Sequence, residues 1–359
     1  MPNNVGQGAN LNLGDRADWI DYAKGLGIIL VVYSHVSRGV INAGVHVPLP
    51  ELMLLDSVLY TFHMPLFFLL SGLLFQSSFE KRGARSLVFS KIDSIVYPYI
   101  LWSLLQGFTE SILSDFTNGK VKISDVLALL WQPRSQFWFL YTLFLVFALS
   151  AVLEKFVCKR YRAIVLLIAV LLYLVGASLG DIRVLEDFSY HFVYFYLGIF
   201  LANERHRIES VGVWVLPAVT FVFGLAQWFF HVKAGNTYED RGVLSLLLAF
   251  ISIIQICIFS KFLSDRKWAL FRLLGISSMA IYLMHILVGA GTRILLSEAL
   301  GVEHWFITIS TCVLVGICLP VFLMKSVEKY RIRYIFSAPL SRWMVSFGAW
   351  VRKSVLKPA

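Results

Sequence analysis

Ten stretches of roughly 20 predominantly apolar residues recur along this chain, and they constrain its fold more than any other feature. They fall at about 23–44, 54–76, 93–113, 136–154, 163–180, 188–203, 211–231, 241–263, 273–296 and 305–325. About 20 apolar residues are what an α-helix needs to cross the hydrocarbon core of a bilayer. Inside lipid only helices and closed barrels satisfy every backbone polar group. A soluble domain is excluded on composition as well, since 58% of the 359 residues are hydrophobic and 15% charged, against about a quarter charged in soluble proteins. The expected fold class is all-α, a polytopic membrane protein of ten transmembrane helices.

The net charge of +10 suggests nucleic acid until the basic residues are located. They cluster in alternate connections: Lys81, Arg82, Arg85 and Lys91; Lys155, Lys159, Arg160 and Arg162; Arg205 and Arg207; Lys261, Arg266, Lys267 and Arg272. By the positive-inside rule these connections and both termini face the cytoplasm, and no nucleic-acid partner is expected. Of the outer connections, 114–135 is the longest and carries Lys120, Lys122 and Arg134; it has room for a short helix or a lid. Residues 1–15 are polar and lack a basic signal-peptide start. The division expected is a flexible tail at 1–15, a membrane domain at 16–325 and a basic cytoplasmic tail at 326–359. Cys158, Cys257, Cys312 and Cys318 show no paired ligand spacing, so neither a disulfide framework nor a metal site is expected.

The first helix carries a polar stripe. Lys24 and His35 are eleven residues apart, close to three helical turns, so they share one face about 16 Å apart. Asp21 and Arg38 extend the same stripe. Ionisable groups inside a membrane helix cost about 2.5–3.5 kcal/mol on insertion scales and mark sites or pathways. Measured along their helices, His35, His63 and His285 fall near one depth. His46, His191, His206, His231 and His304 lie near span ends or in loops and carry little weight. Pro65 is expected to kink the second helix beside His63.

Three stretches carry a resemblance. They are DYAKGLGIILVVYSH, with Lys24 and His35 separated by ten residues; FHMPLFFLLSG at 62–72; and LGISSMAIYLMH at 274–285. Smaller matches are KIDSIVYPYI at 91–100, FWFLYTLFL at 137–145 and the stretch 194–198. Together they resemble the integral-membrane acyltransferase-3 family, in the branch of fucose 4-O-acetylase-like and exopolysaccharide O-acetyltransferases. Lys24 stands where most members carry Arg. The resemblance implies transfer of an acyl group, usually acetyl from acetyl-CoA, to a hydroxyl of a carbohydrate or lipid-linked glycan in the bacterial cytoplasmic membrane. It implies no permanently bound cofactor, and it makes His35 the essential residue.

The residues fit that chemistry. A hydroxyl attacking a thioester needs a base, and histidine is the usual choice; a desolvated imidazole is favoured in its neutral, proton-accepting form. His63 and His285 are candidates to orient His35, stabilise the oxyanion or contact the sugar. Lys24, with Asp21 beside it, is placed to hold the phosphates of acyl-CoA as a point charge; the competing account is a cation that snorkels to the interface. Arg38, Ser71, Trp138, Tyr282 and Arg293 are candidate acceptor-binding or orienting residues. No carboxylate is expected near the histidine level. The rival function is a transporter or exporter of a glycan with a histidine relay, although neither internal symmetry nor matched broken helices are evident.

Overall fold

The computed structural model describes residues 18–113, 122–176, 182–302 and 304–346, and every regular element among them is helical. In chain order these are α1 (Trp19–Asn42), α2 (Leu49–Tyr60), α3 (His63–Lys91), α4 (Tyr97–Ile112), α5 (Ile123–Leu127), α6 (Trp138–Phe156) and α7 (Arg162–Val175). They continue with α8 (Arg183–Leu201), α9 (His206–Glu209), α10 (Leu216–Trp228), α11 (Val243–Asp265), α12 (Ala269–Ile276), α13 (Ser278–Ile294) and α14 (Trp305–Lys329).

Seven helical stretches among the described residues are long and apolar enough to cross a membrane. One of them, Leu49–Ile112, is 64 residues long and is not a single rod. Gly83 leaves helical geometry at φ 72° and ψ 166°, and Arg82 reaches across the resulting turn to the Ser90 hydroxyl at 2.7 Å. Helices α7 and α8 fall outside the seven. The first is described over 14 residues, and the second opens with Arg183, Glu186 and Asp187. Residues 177–180 of the fifth expected run lie outside the described residues, as do the whole expected N-terminal tail, 1–15, with residues 16 and 17 of the membrane domain, and 347–359 of the expected C-terminal tail.

The bundle is organised around α1, which packs against α2, α3, α11, α12, α13 and α14. Two further features set its interior. Helices α3 and α8 cross with their backbones in contact, because a Cβ on Gly72 would collide with the Phe195 carbonyl and one on Gly198 with that of Leu69. Small residues permit this approach where no hydrophobic effect draws helices together in lipid. Beside that crossing, the buried Arg162 pairs with Glu154 and donates to Gln76 at 2.6 Å, while the Tyr196 hydroxyl donates to Glu154 at 3.1 Å. These partners answer the desolvation of both charges.

The second expected span departs from the sequence reading. Helix α2 ends at Tyr60, Phe62 takes a non-helical φ of −140°, and α3 restarts at His63. Pro65 therefore lies in the first turn of a new helix, where its missing N–H leaves no gap in the ladder, and does not kink a continuous one.

The long connection enters the bundle. Its described part, from 122 onward, forms α5 and a tight turn at Ala128–Leu130 that runs beside α4, with Tyr99 donating to the Leu129 carbonyl. It then reaches Gln136, whose backbone carbonyl accepts the Tyr282 hydroxyl and whose side chain donates to Gln106 at 2.7 Å. Past α14 the chain folds back, and Ser341 donates through its N–H and Oγ to the Asp93 carboxylate at 2.7 and 2.9 Å.

Candidate active site

A cavity of about 950 Å³ lies among α1, α2, α8, α13, the segment before α6 and the loop before α11. At one end stand two imidazoles. The rings of His35 on α1 and His285 on α13 are 5.2 Å apart between centroids, tilted by 53°. The Nδ1–H of His285 donates to the carbonyls of Tyr282 and Ile281, at 2.8 and 3.1 Å. Its other nitrogen, Nε2, is buried without a partner among the described residues. That assignment leaves a lone pair on Nε2. His35 is half-buried on the cavity wall.

One turn along α1, Arg38 is held from three sides. Its guanidinium pairs with Asp56 at 2.7 Å, lies 3.4 Å over the Tyr60 ring and faces Tyr238 at 4.9 Å. Tyr238 is anchored in turn by its backbone N–H, which donates to Ser57 Oγ at 2.9 Å. Burial pushes the Tyr238 phenol up from its ordinary pKa, so it remains a donor to Glu239, 3.0 Å away. A planar cation stacked on aromatics with one edge fixed is a rigid donor.

Another wall is aromatic. His191 is stacked between Phe68 at 4.5 Å and Trp138 at 4.9 Å, with its Nδ1–H on the Asp187 carbonyl at 2.7 Å. Ser135, also on the wall, holds a φ of 48°, an uncommon conformation for a residue other than glycine and one that clusters at functional sites. Among the described residues no three His, Cys, Asp or Glu side chains converge as a metal site requires.

A family model described as an acyltransferase domain matches residues 17–323. The chain belongs to this acyltransferase family. The relatives this acyltransferase resembles include the protein named "Probable poly-beta-1,6-N-acetyl-D-glucosamine export protein" in Staphylococcus aureus strains MSSA476 and MW2. Each is 24% identical over 300 residues, covering 76% of this chain and 82% of the relative. No solved structure matches.

The acyltransferase cavity gathers some of the residues singled out from sequence and not others. His35, His285, Arg38, Trp138 and Arg293 line it. His63 does not; it is fully buried behind Tyr60, their rings 4.5 Å apart, and its Nδ1–H donates to the Leu59 carbonyl at 2.6 Å. Ser71 is half-buried on α3 and Tyr282 is buried with its hydroxyl committed to Gln136; neither is on the wall. Lys24 and Asp21 pair at 3.7 Å on the N-terminal half of α1, whereas every α1 residue on the wall belongs to its C-terminal half. A carboxylate that sequence did not single out, Asp56 on α2, pairs with Arg38 one helical turn from His35. His191, given little weight from sequence, and the loop residues Tyr238 and Arg241, which no sequence signal picks out, also line the cavity. Each lies near the end of an apolar run, where hydropathy says least.

Proposed function

We propose that this protein is a ten-span O-acyltransferase of the cytoplasmic membrane with both termini inside. It takes an acyl group, most simply acetyl, from cytoplasmic acyl-CoA to a hydroxyl of a cell-surface or lipid-linked carbohydrate. The observation that carries the reading is the imidazole pair: His35 beside His285, at the end of a cavity large enough for a sugar, in a chain of the acyltransferase family. His35 accepts the proton of the attacking hydroxyl, the hydroxyl oxygen bonds to the thioester carbonyl, and the CoA thiolate leaves and takes up the proton. His285, its tautomer set by the Tyr282 carbonyl so that Nε2 is an acceptor, orients His35 by accepting its ring N–H.

The donor's phosphates are assigned to Lys24, steadied by Asp21. The roughly 16 Å along α1 from Lys24 to His35 suits an extended pantetheine arm.

The name carried by the relatives raises a second reading, export of a glycan. Proteoliposomes carrying acetyl-CoA inside and a β-1,6-linked N-acetylglucosamine oligomer outside separate the two. Acylated oligomer outside with consumption of internal acetyl-CoA supports transfer; movement of unmodified oligomer across the bilayer without acetyl-CoA consumption supports export.

A further inference from the structure

Besides the two imidazoles, the cavity lining holds two polar atoms without a hydrogen-bond partner among the described residues. Arg241, in the loop before α11, is fixed by its Nη2 to Glu186 at 3.0 Å and by its guanidinium face to Tyr190 at 4.3 Å. Its other nitrogen, Nη1, is buried without a hydrogen-bond partner among the described residues. Asp187, on α8 within electrostatic range of Arg241, likewise has Oδ2 buried and unpartnered. Its backbone carbonyl holds His191. Both residues line the cavity. Buried polar groups are nearly always satisfied, so an orphaned donor and an orphaned acceptor lining one cavity call for a ligand that supplies the reverse pair.

The signs of the two groups decide what that ligand is. Asp187 also faces Arg183, and Arg241 also pairs with Glu186, so two cations and two anions balance on this wall, and neither a phosphate or carboxylate nor an ammonium finds a net opposite charge there. A neutral group that accepts from Nη1 and donates to Oδ2 satisfies both. On a saccharide this is a pair of adjacent hydroxyls or an acetamido group. The faces of Tyr190 and His191 are covered by Arg241, Phe68 and Trp138, which leaves the partly exposed Trp138 on the same wall as the aromatic surface open to a sugar's C–H groups. A volume of about 950 Å³ is at the upper end of small-ligand sites, about 300–1,000 Å³, and leaves room for more than one sugar unit.

We propose that Arg241 Nη1 and Asp187 Oδ2 form a subsite for an uncharged, non-reacting sugar unit, so that the acceptor is an oligosaccharide rather than a single sugar. This rests on the reading of the cavity as the acceptor site. The test is binding of two probes to the full-length protein in detergent, followed by saturation-transfer NMR: a β-1,6-linked N-acetylglucosamine tetramer and a β-1,6-linked glucose tetramer. At least one tetramer binds the wild type, and the preferred one tells acetamido from hydroxyl recognition. Asp187→Asn and Arg241→Lys, the latter keeping the charge for Glu186 but losing the second N–H edge, each weaken that binding about tenfold or more. His35→Ala retains the tetramer, so loss of turnover without loss of binding implicates the chemical reading and not the subsite. Binding unchanged in both folded variants, or no binding of either tetramer to the wild type, overturns the subsite.

Discussion

The two histidines named together with His35 fall in different surroundings, and that difference is measurable. His285 presents an unpartnered Nε2 on a cavity wall it shares with His35, whereas His63 is walled off by Tyr60. With a folded variant, His285→Asn is expected to lower kcat for acyl transfer by about a hundredfold or more, the range of general acid–base participation. His63→Asn is expected to change kcat less than about tenfold while lowering the thermal midpoint, because it removes the hydrogen bond to Leu59. Equal losses in kcat would place His63 in the reaction. The pairing of His35 with His285 was legible because each is an ionisable residue at mid-height in an apolar run. The exclusion of His63 was not. Depth follows from counting residues along a helix, but the direction a side chain faces depends on the break at Phe62, which no hydropathy pattern carries. Arg38 shows the same limit, since its partner Asp56 sits on a different helix and only packing brings them together.

Among the elements, the α3–α8 crossing is the tightest test of the packing. Gly72→Ala pushes a methyl group into the Phe195 carbonyl and is expected to destabilise by about 1–3 kcal/mol, as overpacking does. Gly291→Ala, where a Cβ would meet nothing within 4 Å, should stay within about 0.5 kcal/mol; parallel thermal melts in detergent measure both. No shift for Gly72→Ala would mean the helices do not meet there. Sequence disclosed the apolar helices well, and the short helix in the 114–135 connection was foreseen as an option. That the same connection carries Gln136 to the level of Tyr282 was not, because an irregular segment has no period to read. Its position is physically admissible because Gln136 and Phe137 are buried in protein and Arg134 and Ser135 line a cavity.

For the molecule as a whole, the proposed orientation puts the basic connections in the cytoplasm and the loop of Tyr238 and Arg241 outside. Cys158, exposed in the connection between α6 and α7, reports on this directly. In intact spheroplasts an impermeant maleimide is expected to leave Cys158 unlabelled until the membrane is permeabilised; labelling from outside would reverse the topology. The charge bias carries that inference, with 24 of the 32 Lys and Arg on the side taken as inner. The chemistry remains the centre of the account, and one measurement bears on it most directly. Purified protein in nanodiscs, supplied with acetyl-CoA and a β-1,6-linked N-acetylglucosamine oligomer, is predicted to release CoA and acetylate a hydroxyl. In a folded His35→Ala variant that rate falls by about a thousandfold. Acetyl transfer that proceeds in His35→Ala at the wild-type rate would contradict the claim that this imidazole activates the acceptor.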